Sequence, residues 1–368
     1  MIRVLVFGMT ENPGGVESFL LNYYRHIDRN QIQFDFLCNS YDPVAYEDEL
    51  IELGGRTFHI TARSKNWIKY YEELNKIFKQ HSSEWDAIWV NVCSLANIDY
   101  LKFAKKYGIK KRIIHSHNSQ NMDSRLRGLL HLLNRRRIHK YASDFWACSE
   151  DAAIWFYNKE LLKKAIVINN AIDVKRILFN EEKRKQIRKE HDWDDKYIIG
   201  NIGRLHFQKN QKFIIDIFQQ YHADNPDSML VLIGKGEDES DLKQKVDNYG
   251  LNEAVYFAGI QKDIQGWLSS FDIFLFPSKF EGASIAALEA QANGLPVLGS
   301  KRVIPEDIRI NDNFIFFDLD KDCSEWADQI RKMEPIRRKQ KEEIIDSFKK
   351  AGYEITEETK KLQQLLEN

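Results

Sequence analysis

The sequence is poor in the residues that staple a secreted fold or hold a metal. Its four cysteines, Cys38, Cys93, Cys148 and Cys323, lie far apart and form no CxxC pair. That argues against a zinc site or a disulfide framework and leaves core thiols in a reducing compartment. No apolar run approaches the ~20 residues that a helix needs to span a bilayer. The opening "MIRVLVFGMT" is too short for a signal peptide's apolar core plus cleavage site, and reads as a first buried strand. Net charge is −1, so the molecule as a whole has no pull toward nucleic acid or membrane. Internal repeats and low-complexity tracts are also missing. These absences predict a cytoplasmic chain, or one peripheral on the cytosolic face of the plasma membrane.

What is present is core and rhythm. The 368 residues exceed one ordinary core and predict two domains. A hydrophobic content of 43% with 12% aromatics is ample to pack them. "IRVLVFG", "FDFLCN", "RTFHI", "AIWVNV", "RIIHSH", "DFWACS" and "AIVINN" are short branched or aromatic runs separated by charged helical segments. Around Lys196 the rhythm restarts with "YIIGNIG", "MLVLIGKG", "AVYFAG", "IFLFPS", "LPVLGS" and "FIFFD". Strands alternating with helices at this spacing imply parallel sheets with right-handed crossovers. Two such series imply an α/β chain of two doubly wound domains, with ligands at the carboxyl ends of the strands. The charged stretch from Asp173 to Lys196 reads as linker plus an exposed helix.

Several loops after strands carry candidate chemistry. In "NIGRLHFQKN" a strand ends at Gly203, and Arg204 and Lys209 follow around a loop. A guanidinium fork and an ammonium five residues apart can converge on a diphosphate; the alternative is a solvated loop. In "FEGASIAALEAQ" Gly282 makes a sharp turn, and the N–H groups of Ala283, Ser284 and Ile285 open a helix whose terminus favours anions. On that helix Glu289 falls about 40° from Ile285 on the apolar stripe. A carboxylate there is costly unless something polar meets it. Hydroxyls of a ribose or sugar would serve, as would a neighbouring Lys or Arg. Glu281 and Glu289 together also leave open an acid/base pair.

Other signals are weaker. Gly14 and Gly15 in "ENPGGVES" let backbone approach a ligand at a helix start, but GxGxxG is absent. Gly234 and Gly236 in "LIGKGED" are equally weak alone. His117 in "HSHN" ends a strand, where a histidine is structural or catalytic. The alternating acids of "DLDKD" read as a solvated turn, and no metal is expected. One region departs from neutrality: from Asp99 to Lys140 there are twelve Lys/Arg against Asp99 and Asp123. Its second half, "SRLRGLLHLLNRRRIHKY", is basic on one side and leucine-rich on the other, the pattern of a helix attracted to anionic lipid. For the leucines themselves, packing on the sheet is the expectation.

Taken together the motifs "PGGVES", "HSHN", "ACSE", "VINNAID", "GRLHFQKN", "LIGKG", "YFAGIQKDI" and "FPSKFEGASIAALEAQANGLPVL" resemble the retaining glycosyltransferases of family 4, as found in bacterial capsule and exopolysaccharide assembly. The most specific is E-x7-E, here Glu281 to Glu289. The resemblance implies the GT-B architecture: two Rossmann-like domains facing across a cleft. Residues 1–172 would form the acceptor domain and 173–350 the nucleotide-sugar donor domain, and the helix 351–368 would return to the first. It also implies roles. Arg204 and Lys209 would hold the donor diphosphate, Glu289 the ribose, and Glu281 with Gly282, Ala283, Ser284 and Ile285 the sugar and phosphate. Gly14, Gly15 and Gly203 would line the donor, His117 would sit near the sugar ring, and Ile260 would meet the nucleobase. A UDP-sugar would be substrate, with no metal and no cofactor, and the acceptor a glycan on polyprenyl pyrophosphate at an anionic membrane. Two departures withhold the donor sugar: Ala283-Ser284 stands for the commoner Phe-Gly, and Asn169-Asn170-Ala171 for Pro-Asn-Gly. The rivals are a nucleotide-sugar epimerase of the same architecture, which would convert donor with no acceptor, and a non-catalytic partner, which would be expected to lose the cations or glutamates.

Overall fold

Seven short runs of branched and aromatic residues pair into one sheet. They are β1 (Ile2–Phe7), β2 (Ile32–Cys38), β3 (Arg56–His59), β4 (Ala87–Val92), β5 (Lys111–Ser116), β6 (Asp144–Ala147) and β7 (Ile166–Val167). Their order is β3-β2-β1-β4-β5-β6-β7, parallel throughout. Six more, β8 (Tyr197–Ile202), β9 (Ser228–Ile233), β10 (Val255–Gly259), β11 (Ile273–Phe276), β12 (Val297–Ser300) and β13 (Phe314–Phe317), form a second parallel sheet. Its order is β10-β9-β8-β11-β12-β13. Central strands such as Val4, Leu5 and Val6 are buried on both faces because helices cover both. Strand order reverses beside β1 and beside β8, and that reversal opens a crevice at the strands' carboxyl ends. The fold is therefore the two Rossmann-like sheets that the alternating pattern predicts.

The computed structural model describes residues 1–118, 125–281 and 284–368. It divides into two units, Met1–Ala171 with Ile355–Asn368, and Ile172–Glu354. In the first unit Tyr70, Leu74, Phe78 and Tyr100 pack against β1, β4 and β5 residues. The helix Ile355–Glu367 belongs to this unit and lies against the helix Gly15–His26. In the second, Phe218, Trp326 and Ile330 pack against β8, β9, β11 and β12. Its two ends meet in a single bridge, Ile172 beside Glu354, with Ile172 N–H donating to Tyr353 O at 3.0 Å. Gly352, at φ +75°, ends the preceding helix Lys341–Ala351 in the left-handed conformation that glycine tolerates.

Two segments differ from their sequence reading. The charged helix Glu181–Glu190 is more than a solvated spacer: Arg184 and Arg188 turn inward onto Asp272. The helix Arg125–Arg135 is turned inside out. His131 is buried, stacks on Trp155 at 4.2 Å, and accepts from Leu95 N–H at 3.1 Å. Asn134 donates to Leu95 O at 2.6 Å, and Arg135 to Ile154 O at 2.9 Å and to Tyr157 O. Leu126, Leu129, Leu132 and Leu133 are 69%, 55%, 55% and 44% exposed. The leucines do not pack on the sheet, because the surface beneath offers backbone polar groups that must be paired.

Candidate functional site

At the carboxyl end of β8 the chain turns through Gly203 and Arg204 before the helix Gln211–Asp224. The loop after β9 lies flat against this turn. A Cβ on Gly234, at φ +134°, would stand 2.1 Å from Gly203 O, and one on Gly236 equally close to Leu205 O. Leu205 N–H donates to Lys235 O and Asp238 N–H to Leu205 O, both at 3.1 Å. The two weak glycines of the sequence are thus the condition for this packing.

The same turn is stitched to the loop after β11. Asn210, left-handed at φ 61°, donates to Pro277 O at 3.0 Å. Gln208 donates to Phe280 O at 3.0 Å and accepts from Lys279 N–H at 2.8 Å. This stitching brings Lys209 Nζ to 2.8 Å from Glu281 Oε1 and 5.1 Å from the Phe276 ring centre. The pair is shielded, with side chains 17% and 4% exposed. Arg204 turns instead to Glu237, 3.0 Å away, and remains 63% exposed. His206 approaches the other oxygen of Glu237 at 3.3 Å. The carboxyl of Glu237 is held below its usual range by its own backbone N–H, with Arg204 and His206 adding to the effect. Each cation therefore has its own carboxylate, and a common anion would have to displace both.

Gly282 and Ala283 lie outside the described residues. Ser284 precedes the helix Ile285–Ala292 at φ −72° and ψ 112°, and both Ser284 and Ile285 are buried. Ala287, Leu288, Ala290 and Ala292 bury the rest of the stripe. Glu289 is half-buried on it, and burial pushes its carboxyl up to about 7, with Arg176 pulling the other way. The apolar helix costs this acid its charge near neutrality, so a donor of hydrogen bonds would stabilise the ionised form. Ile260, just past β10, is 47% exposed.

In the first unit Gly14 and Gly15 sit at the start of the helix Gly15–His26. A Cβ on Gly15 would meet nothing within 4 Å, whereas one on Gly14 would come 2.9 Å from Glu17 Oε2. Glu17 is buried there and accepts from Thr10 Oγ1 at 2.6 Å, and burial raises its carboxyl. His115 and His117, two apart along an extended chain, share a face and stack at 4.2 Å. His117 Nε2 donates to Asn91 Oδ1 at 2.9 Å, so Nδ1 is the ring's lone-pair nitrogen. Burial pushes its pKa down to about 3, which keeps the ring neutral near pH 7. Sequence reading passed over Glu237, His206, Asn91 and Glu17, and also Gln211, which donates to Arg204 O at 3.0 Å. Signals existed for two of them: Asn91 is polar within the apolar strand "AIWVNV", and Glu237 directly follows the second glycine of "GKG".

The chain also resembles known proteins along most of its length. Residues 13–176 match the family described as Glycosyltransferase Family 4, and residues 183–351 match Glycosyl transferases group 1. EpsF of Bacillus subtilis, which carries the glycosyltransferase name, is 28% identical over 362 residues, covering 96% of this chain and 93% of its own. A UDP-Gal:alpha-D-GlcNAc-diphosphoundecaprenol alpha-1,3-galactosyltransferase of Escherichia coli is 24% identical, covering 78% of this chain and 76% of its own. The structure of Anabaena HepE in complex with UDP-glucose superposes over 100% of both chains with a TM-score of 0.81 at 18% identity. That likeness is one of GT-B fold.

Proposed function

This chain is a glycosyltransferase whose halves belong to family 4 and to group 1, and we propose that it moves a sugar from a UDP-linked donor to a growing polysaccharide with retention and without a metal. The observation that carries this reading is the shielded Lys209–Glu281 pair beside Arg204, all at strand carboxyl ends. The donor diphosphate draws Lys209 and Arg204 from their carboxylates and is neutralised as the glycosidic bond breaks. Preorganised cations take up the leaving group's charge, so no metal is invoked. Glu289 ionises as it accepts the ribose hydroxyls. The acceptor hydroxyl attacks from the face that the diphosphate leaves, so the configuration is retained and no carboxylate nucleophile is needed. On the first unit, the neutral ring of His117 would offer a sugar hydrogen bonding rather than charge. HepE's UDP-glucose and the galactosyltransferase's UDP-Gal support a uridine donor.

A lipid-pyrophosphate acceptor is supported by the same galactosyltransferase, whose name specifies a diphosphoundecaprenol. It is supported too by the inside-out helix: exposed leucines are flanked by exposed Arg125, Arg136, Arg137 and Lys140, which suit an anionic bilayer surface. Among the described residues no helix is long and apolar enough to cross a membrane. The test of the core reading is a thermal-shift panel of nucleotide sugars followed by turnover with the best donor. A UDP-sugar should stabilise the chain and be consumed. If no nucleotide sugar shifts unfolding, the reading fails. Sedimentation with phosphatidylglycerol vesicles, lost when Leu126, Leu129 and Leu133 become serine, tests the membrane part.

A further inference from the structure

A cavity of about 420 Å³ opens on the first unit where the end of the helix Arg125–Arg135 meets the chain before β7. Arg136 and His139 line it from the helix side, and Asn158, Glu160, Leu161 and Lys164 from the other. Arg135 ties the two sides together by donating to Ile154 O and Tyr157 O. Asn158 is held in place as well. Its Oδ1 caps the turn Lys159–Leu162, accepting from Glu160 N–H at 3.1 Å and Leu161 N–H at 2.9 Å. That leaves Nδ2 as the donor this side chain offers. The volume lies within the roughly 300–1,000 Å³ of small-ligand sites.

The charges around the cavity do not neutralise one another. Among the described residues Arg136, His139 and Lys164 meet no carboxylate, and Glu160 meets no cation. Glu160 and Lys164 stand four apart, the spacing at which Lys69 pairs with Glu73 and Lys243 with Glu239, yet they stay separate. Two fixed cations against one acid leave a single positive charge, and open cations side by side favour an anion between them.

The cavity also continues the leucine stripe. Carried one residue past the helix end, a turn of 100° per residue puts Leu126, Leu129, Leu133 and Arg136 within about 80° of one another. His131 and Asn134, which face inward, lie on the opposite side. Ile154, whose carbonyl Arg135 holds, is 55% exposed beside the same helix end.

We propose that this cavity seats the phosphoglycerol head of a phosphatidylglycerol molecule, while the leucine stripe enters the bilayer beside it. Arg136 and Lys164 meet the phosphate, His139 and Asn158 donate to its oxygens, and Glu160 accepts from the glycerol hydroxyls. The head's one negative charge complements the cavity's one positive charge. A zwitterionic head leaves that charge unmatched, and a bare phosphate leaves Glu160 facing an anion. The inference rests on the membrane part of the proposed function and adds which head is chosen.

Saturation-transfer NMR with the full chain and glycerophosphoglycerol, the head without its acyl chains, reads the cavity apart from the bilayer. Its glycerol protons should receive saturation and lose it in Arg136→Ala and Lys164→Ala. Both variants should keep the thermal midpoint, since neither side chain has a partner to lose. Sedimentation with phosphatidylcholine vesicles carrying phosphatidylglycerol or phosphatidylserine at equal charge is the second arm. The unaltered chain should prefer phosphatidylglycerol, and each of the two variants should weaken that binding about fivefold. Glu160→Gln should erase the preference while binding both lipids. The assignment is overturned if the soluble head receives no saturation, if the two lipids bind alike, or if Glu160→Gln keeps the preference. Saturation of the soluble head without any vesicle binding would leave the cavity standing and count against the membrane reading instead.

Discussion

The second unit gathers charge at both ends of its sheet, and the two clusters differ in what they have left to offer. At the amino ends, Asp272 accepts from Arg184 at 2.7 Å, from Ile198 N–H at 2.7 Å and from Arg188. Arg184 also reaches the carbonyls of Ser269, Ser270 and Phe271, and Arg338 those of Leu268, Ser269 and Phe271. A cavity of about 590 Å³ opens beside this cluster, lined by Arg184, Asp272, Arg337 and Arg338. Size does not make it the site of chemistry, because the donors of Arg184 and Arg338 are already engaged by the turn before β11. At the carboxyl ends, among the described residues, Arg204 meets Glu237 and is mostly in water, Lys209 meets Glu281, and burial brings the Glu289 carboxyl up to about 7. Saturated charge is structure. Charge with spare valence is where a ligand can be bound.

The sharpest way to break this contrast is at the saturated end. Asp272→Ala should cost about 3–5 kcal/mol, since it leaves Arg184 and Arg188 without their common counter-ion. Denaturant unfolding would show it, while turnover per folded molecule stays near normal. A stability change too small to measure would remove the distinction. At the open end, Arg204→Ala should lower turnover by about 10²–10³-fold, roughly 3–4 kcal/mol, with unfolding unchanged. Lys209→Ala should lose rate and stability together, because it removes the ammonium that faces the shielded Glu281 carboxylate. Gly234→Ala tests the packing beneath the cations: a Cβ 2.1 Å from Gly203 O at positive φ should cost about 2–3 kcal/mol and raise the donor KM.

The smallest effect is a pH dependence. Burial pushes the carboxyl of Glu289 up to about 7 in the folded chain, above the usual 4.5. Between those values the folded state holds a proton that the unfolded state has released, so stability falls as pH rises across the window. Glu289→Gln should flatten that slope. Donor affinity should run the other way, weakening as pH falls below about 7 by at most about tenfold per unit, because the ribose hydroxyls favour the carboxylate. Isothermal titration of UDP against pH, with the glutamine variant as control, checks both signs.

Much of this was readable in the chain. The thirteen strands among the described residues announce themselves because residues buried on both faces form branched and aromatic runs. The order of motifs carried the family, and the spacing of Ile285, Leu288 and Glu289 exposed an acid on an apolar stripe. The inside-out helix was not readable: leucines at helical spacing mark a face, and only the neighbouring backbone groups decide which way it turns. Nor was Arg204's partner, because Glu237 is brought beside it by the pairing of β8 with β9.

By itself, then, the sequence determined the alternation of strand and helix, the polarity of each surface and the kinds of residue at the strand ends, since these follow from local period and composition. The tertiary structure alone decided which charges spend their valence on one another. Asp272 and Glu281 are both acids that meet cations far along the chain. One sits among arginines that also hold backbone carbonyls, the other faces a lysine at the mouth of the strand ends. Hydrogen-bond saturation is a property of neighbours, and neighbours are chosen by strand order and helix packing.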